Sequence, residues 1–409
     1  MTATSYPLHK IKVVLLEGVH DRAAEMLREA GYSVEQHKGA LDEADLIRVA
    51  GEAHILGIRS KTHTTRRFFE QAQRLWAVGC FCIGTNQVDS AAAAERGVAV
   101  FNAPFSNTRS VAELTICQII ALHRALADRS AQMHRGVWTK SAAGAHEVRG
   151  RTLGIVGYGR IGSQVSVLAE ALGMRVVFFD VAQRLPLGNA VRVASLDVLL
   201  GSCDVVSLHV PATPATRSMI GAEQIARMRP GAMLINNARG EVVDLEALAA
   251  AIRAGRILGA ALDVFPDEPA DNEQPFRSPL AGLPNVILSP HIAGSTEEAQ
   301  KSIGEEVAAK LVRFMNTGST STAINVPEVD LPVLHPEHHR ILHFHRNVPG
   351  VLSKMHRAIA DLGVNIAAEY LQSDARHSYV ILDVRSKSGQ AMVDALKAIP
   401  ETIRLRSVW

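Results

Sequence analysis

Three side chains with complementary chemistry each follow an apolar, strand-like segment: Arg239, Glu268 and His291. Histidine exchanges a proton near neutral pH, arginine binds a carboxylate through two parallel hydrogen bonds, and a carboxylate can fix the tautomer of an imidazole. We interpret His291 as an acid–base residue, Glu268 as the carboxylate that orients it, and Arg239 as the anchor of a substrate carboxylate. Taken alone, each residue could equally be structural. Their order and placement together favour hydride transfer to or from a 2-hydroxy acid.

A glycine-rich loop predicts the site of the hydride carrier. Residues 157–162 read Gly-Tyr-Gly-Arg-Ile-Gly and follow the apolar run 153–156. In a dinucleotide-binding fold these glycines permit a tight turn, the approach of a pyrophosphate, and close packing of helix against strand. Asp180 ends the next strand-like run and is suited to bind ribose hydroxyls, which favours NAD over NADP, with the nearby Arg184 as the opposing feature.

The segments around these motifs supply the remaining expected cofactor contacts, because ligands bind at the carboxyl ends of parallel strands. The expected set is Gly157, Gly159, Arg160, Ile161, Gly162, Asp180, Asn237, Ala238, Arg239, Asp263, His291 and Gly294.

Composition excludes several classes of partner. The 409 residues predict two or three domains, and 43 Lys and Arg against 41 Asp and Glu give a net charge of +2, which predicts no nucleic-acid partner. No apolar run has the length of a membrane span and the first ten residues lack a signal-peptide core, so we expect a cytoplasmic protein with no membrane partner. Cys80 and Cys82 lack a second pair at zinc-site spacing, so we interpret them as buried thiols and expect no metal.

Alternating strand-like and helix-like segments predict an α/β protein with two doubly wound parallel sheets. Before residue 105 the strand-like runs are 11–16, 55–59 and 75–79, and the helix-like runs are 21–30 and 68–72. Six further strand-like runs follow at 153–156, 176–180, 205–209, 232–236, 259–263 and 286–289. One long helix over 110–127, capped by Ser110 with Glu113 in its first turn, should precede them, and a helix over 296–316 should follow.

The pattern changes after residue 317. Residues 318–336 carry several Ser, Thr and Pro residues and are interpreted as a linker. The order strand, helix, strand, strand, helix, strand then predicts a separate, ferredoxin-like βαββαβ module, with boundaries at 340–345, 350–362, 365–373, 378–385, 390–399 and 402–408.

These motifs together resemble the D-isomer-specific 2-hydroxyacid dehydrogenase family over residues 1 to about 327. The glycine loop, Asn-Ala-Arg-Gly at 237–240, Asp-Val-Phe-Pro-Asp-Glu-Pro at 263–269 and Pro-His-Ile-Ala-Gly-Ser-Thr at 290–296 occur in that order. Segments 79–86 and 101–113 look like those of the members that act on 3-phospho-D-glycerate. The resemblance implies a homotetramer that uses NAD to form 3-phosphohydroxypyruvate and NADH, the first step of L-serine biosynthesis.

The resemblance also implies a domain layout and a substrate site. Residues 1–105 and 296–327 would form a flavodoxin-like substrate domain, 106–295 a Rossmann NAD domain, and 337–409 a regulatory domain. Positions matching Arg59, Ser60 and Asn107 would face the substrate together with Arg239, and Lys140 would add positive charge from a neighbouring region or subunit.

The C-terminal pattern resembles an ACT domain, a small-molecule-sensing unit that often pairs across subunits. The resemblance implies L-serine as effector, held by His345, Asn347 and Asn365, while a purely structural dimerisation domain is the alternative. The nearby histidines, which include His335 and His338, show no ligand spacing with a carboxylate, so a metal is not expected there.

Two other functions remain open from the sequence. One is a dehydrogenase for a different 2-hydroxy acid, and 2-oxoglutarate stays open as a second substrate. The other is a non-catalytic NAD sensor that binds protein partners. The intact set of Arg239, Glu268 and His291 disfavours the sensor.

Overall fold

The computed structural model describes residues 6–269, 273–332, 334–335, 337–385 and 389–408. Its backbone forms two compact units, Met1–Ser106 with Gln300–Trp409, and Asn107–Ala299. Among the described residues no single helix is long and apolar enough to cross a membrane. The helices Thr108–His123 and Leu126–His134, which meet at a bend of 70°, together have the length and apolar composition of a membrane span. Length and composition are the whole of that evidence.

The first unit begins with a five-stranded parallel sheet in the order β2-β1-β3-β4-β5. Strands β1, β3, β4 and β5 are buried along nearly their whole length, as expected for a parallel sheet covered by helices on both faces. Its elements, after a 3-10 turn at Leu8–Lys10, are β1 (Lys12–Leu15), α1 (Asp21–Glu29), β2 (Ser33–Gln36), α2 (Glu43–Ala50), β3 (Ile55–Ile58), α3 (Arg66–Gln71), β4 (Ala77–Cys80), α4 (Ser90–Glu95) and β5 (Ala99–Asn102).

The second unit contains a seven-stranded parallel sheet in the order β12-β11-β10-β9-β6-β7-β8. The chain runs outward from β6 to β8 and then returns to β9 on the other side of β6. The carboxyl ends of β6 and β9 therefore mark the switch point at which such sheets bind ligands. The elements are α5 (Thr108–His123), α6 (Leu126–His134), β6 (Thr152–Val156), α7 (Arg160–Ala171), β7 (Arg175–Phe179), β8 (Val191–Arg192), α8 (Leu196–Ser202), β9 (Val205–Leu208), α9 (Ala222–Arg227), β10 (Ala232–Asn236), a 3-10 turn (Gly240–Val242), α10 (Leu245–Arg253), β11 (Ile257–Leu262) and β12 (Val286–Leu288).

The prediction of one long helix over 110–127 was wrong. The chain breaks after α5 at Ala125, which has a φ of 45°, and α6 continues at an angle. The predicted cap was also wrong, because Asn107 is the N-cap and Ser110 lies inside α5, where its hydroxyl is 2.9 Å from the Thr296 hydroxyl. The break could not be predicted, because a positive φ is uncommon in residues other than glycine and nothing in the local sequence marks Ala125 for it.

The C-terminal elements confirm the predicted βαββαβ order, and they follow the long helix α11 (Glu297–Thr317). They form a four-stranded antiparallel sheet in the order β14-β15-β13-β16. One face packs against the two helices, while Leu342, Phe344 and Tyr379 on the other face join the core of the first sheet. The elements are β13 (His339–Arg346), α12 (Val351–Asp361), β14 (Asn365–Ser373), β15 (His377–Arg385), α13 (Gly389–Lys397) and β16 (Thr402–Val408).

The segment that was interpreted as a linker is largely packed. Thr320 is fully buried and donates a hydrogen bond to the Pro327 carbonyl at 2.8 Å, while Val326 and Val329 belong to the first unit's core. Asn325 accepts a hydrogen bond from the Val100 amide of β5 at 2.8 Å. Composition alone predicted a linker. A polar residue that hydrogen-bonds to a buried backbone group cannot be distinguished in the sequence from one that is exposed to water.

Candidate active site

The glycine loop lies at the switch point, between the end of β6 and the start of α7. Gly157 has a φ of 91°, and a Cβ there would collide with the carbonyl of His209. A Cβ on Gly162 would collide with the carbonyl of Gly157, whereas a Cβ on Gly159 would meet nothing within 4 Å. Packing therefore requires glycine at 157 and 162. At Gly159 no protein atom lies within 4 Å of the Cβ position, so the N-terminus of the helix is open there. That opening fits the approach of a pyrophosphate.

Asp180 follows β7 and braces this loop. Its Oδ2 accepts a hydrogen bond from the Tyr158 amide at 2.8 Å, and its Oδ1 accepts one from the Ala182 amide at 2.8 Å. The Arg184 Nε lies 3.5 Å from Oδ2, so a cation does stand beside the carboxylate. Helix α7 begins with Arg160 and Ile161, directly after the N-cap residue Gly159.

His209 is a residue that the sequence reasoning missed, although it ended a predicted strand. It follows β9 at the switch point, and its Nε2 lies 2.9 Å from the Ser207 hydroxyl. Its Nδ1 is buried without a hydrogen-bond partner in the described part of the chain. Burial lowers the pKa of His209 to about 4, so the ring is neutral. An unpaired, buried ring nitrogen at this position fits a polar ligand that completes its hydrogen bonding.

Arg239, Glu268 and His291 follow the adjacent strands β10, β11 and β12, and the structure brings them together. His291 Nδ1 lies 2.8 Å from Glu268 Oε2, and Glu268 Oε1 accepts a hydrogen bond from the Phe265 amide at 3.0 Å. The hydrogen bond that His291 donates to Glu268 raises the pKa of His291 against the opposing effect of burial. Burial raises the pKa of Glu268, but the hydrogen bonds from His291 and Phe265 and the positive charge of Arg239 bring it below its ordinary value.

Asp263 holds the loop that carries His291. It is fully buried, and its two oxygens accept hydrogen bonds from the Ser289 hydroxyl at 2.6 Å and from the amides of Ile292 and Ala293 at 2.9 and 2.7 Å. His291 has a φ of 54°, a conformation that costs energy in a residue with a side chain and persists only when neighbouring contacts enforce it. The sequence suggested that Asp263 contacts the cofactor, and this structural role was missed.

The Asn237–Arg239 segment is held by hydrogen bonds to helix α5 and within its own backbone. Asn237 Nδ2 donates to Thr115 Oγ1 at 2.9 Å and to Gln118 Oε1 at 2.8 Å, which leaves its Oδ1 buried without a partner among the described residues. Arg239 donates from Nη1 to the Ala238 carbonyl at 2.7 Å. Sequence reasoning missed this contact between α5 and the segment, because the partners lie about 120 positions apart.

Asn107 and Gly294 are also close to each other in the second unit. A Cβ on Gly294 would collide with the Asn107 side-chain nitrogen, so the glycine gives this amide its space. Lys140 lies on an exposed loop after α6.

In the first unit, Glu17 binds the loop that carries Arg59 and Ser60. Its carboxylate accepts hydrogen bonds from the amides of Arg59, Lys61 and Thr62 at 3.2, 2.9 and 2.8 Å. Glu17 follows β1 with a φ of 60°, and the sequence reasoning missed it despite its place at a strand end. Because these three amides are occupied, the donors that this loop can offer a ligand include the Arg59 guanidinium and the Ser60 hydroxyl and amide.

The three residues expected to bind an effector do not meet within one chain. His345 is buried near the end of β13, and Asn347 follows it with Nδ2 bonded to the Asp374 carbonyl at 2.7 Å. His345 is level with Ser378 on β15, whereas Asn365 is level with Arg385, seven residues away. At roughly 3.3 Å per residue, that is about 23 Å along the sheet. One chain by itself therefore does not bring Asn365 to His345 and Asn347, and the effector role of the three residues stays a prediction.

A parallel sheet with a glycine loop at its switch point, and an arginine, a glutamate and a histidine at neighbouring strand ends, defines a dinucleotide-dependent dehydrogenase. Comparisons with known proteins specify it further. Residues 116–293 match the NAD-binding domain of the D-isomer-specific 2-hydroxyacid dehydrogenases, and residues 341–404 match an acetohydroxyacid synthase small-subunit-like ACT domain.

Two curated relatives match the chain over nearly its whole length, and a solved structure matches about three quarters of it. The chain is 53% identical to D-3-phosphoglycerate dehydrogenase of Escherichia coli (strain K12), over 100% of both chains. It is 53% identical to the enzyme of that name from Haemophilus influenzae, over 98% of both. A D-lactate dehydrogenase of Aquifex aeolicus, solved with NAD and lactic acid, has a TM-score of 0.63 and 30% identity over 74% of this chain and 95% of that one. The chain therefore belongs to the D-isomer-specific 2-hydroxyacid dehydrogenase family, in its NAD-dependent D-3-phosphoglycerate dehydrogenase branch.

Proposed function

We propose that this chain oxidises 3-phospho-D-glycerate to 3-phosphohydroxypyruvate with NAD, as the first step of L-serine biosynthesis. The names of the relatives support the substrate. The observation that carries the chemistry is the 2.8 Å pair of His291 and Glu268 beside the charge of Arg239.

The reaction divides between the cofactor and the protein. NAD, when bound, accepts the hydride from the carbon that carries the hydroxyl group. His291 Nδ1 is already paired with Glu268, so Nε2 is the atom that takes the hydroxyl proton. Glu268 stabilises the imidazolium that results, and Arg239 binds the substrate carboxylate with its planar guanidinium.

The substrate phosphate needs further donors, and we assign them to Arg59 and Ser60, with Asn107 and Lys140 as additional contacts. Glu17 accepts hydrogen bonds only from backbone amides of this loop, so it does not occupy the side chains of Arg59 and Ser60. The same cation suits the second carboxylate of 2-oxoglutarate, so we also propose reduction of that acid as a weaker side activity. In this assignment residues 1–105 and 296–327 bind the substrate, and 106–295 bind NAD.

Steady-state reduction of a panel of 2-oxo acids with NADH tests the proposal. We expect 3-phosphohydroxypyruvate to give the highest kcat/KM, and Arg59→Ala to lower it by about 10- to 100-fold, mainly through KM, because a charge-assisted phosphate contact is lost. Lys61→Ala, which removes the neighbouring exposed cation, is the matched control. Failure of the wild-type enzyme to reduce 3-phosphohydroxypyruvate would refute the proposed substrate. An unaffected Arg59→Ala variant would refute only the phosphate assignment.

We propose that the ACT domain, residues 337–409, makes the enzyme sensitive to L-serine through pairing of two copies. Strand β14 is an edge strand, and such an edge presents unpaired backbone donors and acceptors. In antiparallel pairing with the same strand of a second copy, Asn365 of that copy would lie beside Ser373. Ser373 is level with Ser378 and therefore with His345. Two copies would thus bring Asn365 of the second copy level with His345, three strand spacings or about 14 Å away across the sheet, instead of about 23 Å along it within one chain.

A second surface supports a homotetramer. Large apolar side chains are exposed on α5, α6 and the loop that follows, and exposed apolar groups that lie together are typical of protein interfaces. They are Ile120, Leu126, Met133, Val137 and Trp138, the last with 76% of its surface exposed. Two separate self-complementary surfaces generate a closed tetramer. We also propose a cytoplasmic location, which the four unpaired cysteines favour.

A further inference from the structure

A chain of hydrogen bonds leads through the C-terminal sheet to His345. The Thr402 hydroxyl lies 2.9 Å from the Leu396 carbonyl and 2.8 Å from His343 Nε2. His343 Nδ1 in turn lies 3.1 Å from His345 Nδ1. Both rings are buried, with 0 and 3% of their surface exposed, so water does not complete the chain in place of these groups.

The protons in this chain can be counted. Burial lowers the pKa of His343 to about 3 and also lowers that of His345, so each neutral ring carries a single N–H. Thr402 has one hydroxyl proton, which goes to the Leu396 carbonyl, and its oxygen therefore accepts from His343 Nε2. A neutral His343 protonated at Nε2 has a lone pair on Nδ1, so the proton between the two rings belongs to His345.

The reverse direction of the chain is disfavoured by the Leu396 carbonyl. In that direction the Thr402 hydroxyl would donate to His343 Nε2, and the carbonyl 2.9 Å away would lose its hydroxyl donor. Burial has the largest effect on His343, but a hydrogen bond with the Leu396 carbonyl raises its pKa, as a ring N–H that donates to this oxygen would do.

We infer that Thr402 and His343 are positioning residues that leave His345 with an unprotonated Nε2, so that this site selects its effector through a hydrogen-bond donor. The inference rests on the proposed role of His345 in binding the effector. Nδ1 is the ring atom of His345 that is hydrogen-bonded in the described part of the chain, which leaves Nε2 for a ligand. The ligand group at Nε2 is then an ammonium or a hydroxyl group, both of which L-serine has, and not a carboxylate.

Nitrogen-15 NMR of the histidine rings in the full-length protein tests the inference, because protonated and unprotonated ring nitrogens differ widely in chemical shift. With signals assigned by their loss in His345→Gln, we expect a protonated Nδ1 and an unprotonated Nε2 on His345, both free and saturated with L-serine. A protonated His345 Nε2 in either state would overturn the inference.

A matched pair of variants tests the positioning role. Thr402→Val has nearly the same volume but cannot accept the His343 proton, and Thr402→Ser still can. By calorimetric titration with L-serine, we expect Thr402→Val to bind about three- to tenfold more weakly, the loss of one neutral hydrogen bond, and Thr402→Ser to bind within twofold of the wild type. Equal affinity of the two variants would refute the positioning role. Absence of L-serine binding by the wild type would instead refute the proposed effector, while the NMR result still decides the tautomer.

Discussion

Replacing Glu268 by glutamine tests the assignment of the acid–base pair. The change keeps the size of the side chain and a hydrogen bond to His291 Nδ1, but it removes the negative charge 2.8 Å from the ring. The imidazolium that forms when His291 takes the hydroxyl proton then loses a charge-assisted hydrogen bond, which is worth about 1.5–3 kcal/mol. Because the side chains of His291 and Glu268 are 53 and 35% exposed, solvent screening favours the lower part of that range. We therefore expect kcat to fall about 10- to 30-fold.

The pH profile gives a second, independent readout of the same change. Glu268 raises the pKa of His291, so its loss lowers that pKa. Oxidation needs the neutral His291 ring and reduction needs the protonated one. In Glu268→Gln, the pH at which kcat/KM for oxidation rises and the pH at which kcat/KM for reduction falls should therefore both be lower. Initial rates in both directions between about pH 5 and 10 measure this shift, and Asp267→Asn, one residue away, is the matched control. A variant with wild-type kcat and an unshifted profile would refute the role assigned to Glu268.

Three further predictions concern the cofactor loop and acid stability. Gly159→Ala should keep the thermal unfolding temperature but raise the Kd for NADH, whereas Gly157→Ala should lower the unfolding temperature, because its Cβ collides with backbone; the reverse pattern would contradict the geometry. Asp180→Ala should reduce the preference for NAD over NADP in kcat/KM, and an unchanged preference would show that Arg184 or the loop shape decides it. Burial lowers the pKa of His343 to about 3 in the folded protein, so its free energy of unfolding should fall as the pH drops below about 6.5, by about 2 kcal/mol at pH 5. An equal fall in the free energy of unfolding of His343→Gln would show that another group is responsible.

The sequence predicted the parts of the fold that depend on local pattern. The glycine loop, the strand ends that carry Arg239, Glu268 and His291, and the βαββαβ module all follow from hydrophobic runs and short motifs. The two parallel sheets and the antiparallel sheet are confirmed. Two-residue β8 was missed because so short a run has no periodicity.

The residues that sequence reasoning missed act through long-range contacts. Glu17 binds the backbone of residues more than 40 positions away, and Asp263 binds a loop 26 to 30 positions away. Neither partner is visible from spacing, because backbone amides carry no sequence signal. The separation of Asn365 from His345 was missed for a related reason, since it depends on strand register, which the motif does not contain.

His291 is the residue to which we assign proton transfer in the NAD-dependent oxidation of a 2-hydroxy acid. Single-turnover and steady-state reduction of 3-phosphohydroxypyruvate by His291→Ala, with NADH affinity measured separately by fluorescence titration, tests it most directly. We predict that kcat falls by about 100-fold or more, the typical contribution of general acid–base catalysis, while NADH affinity stays within a few fold. A His291→Ala enzyme with near wild-type kcat would contradict the account.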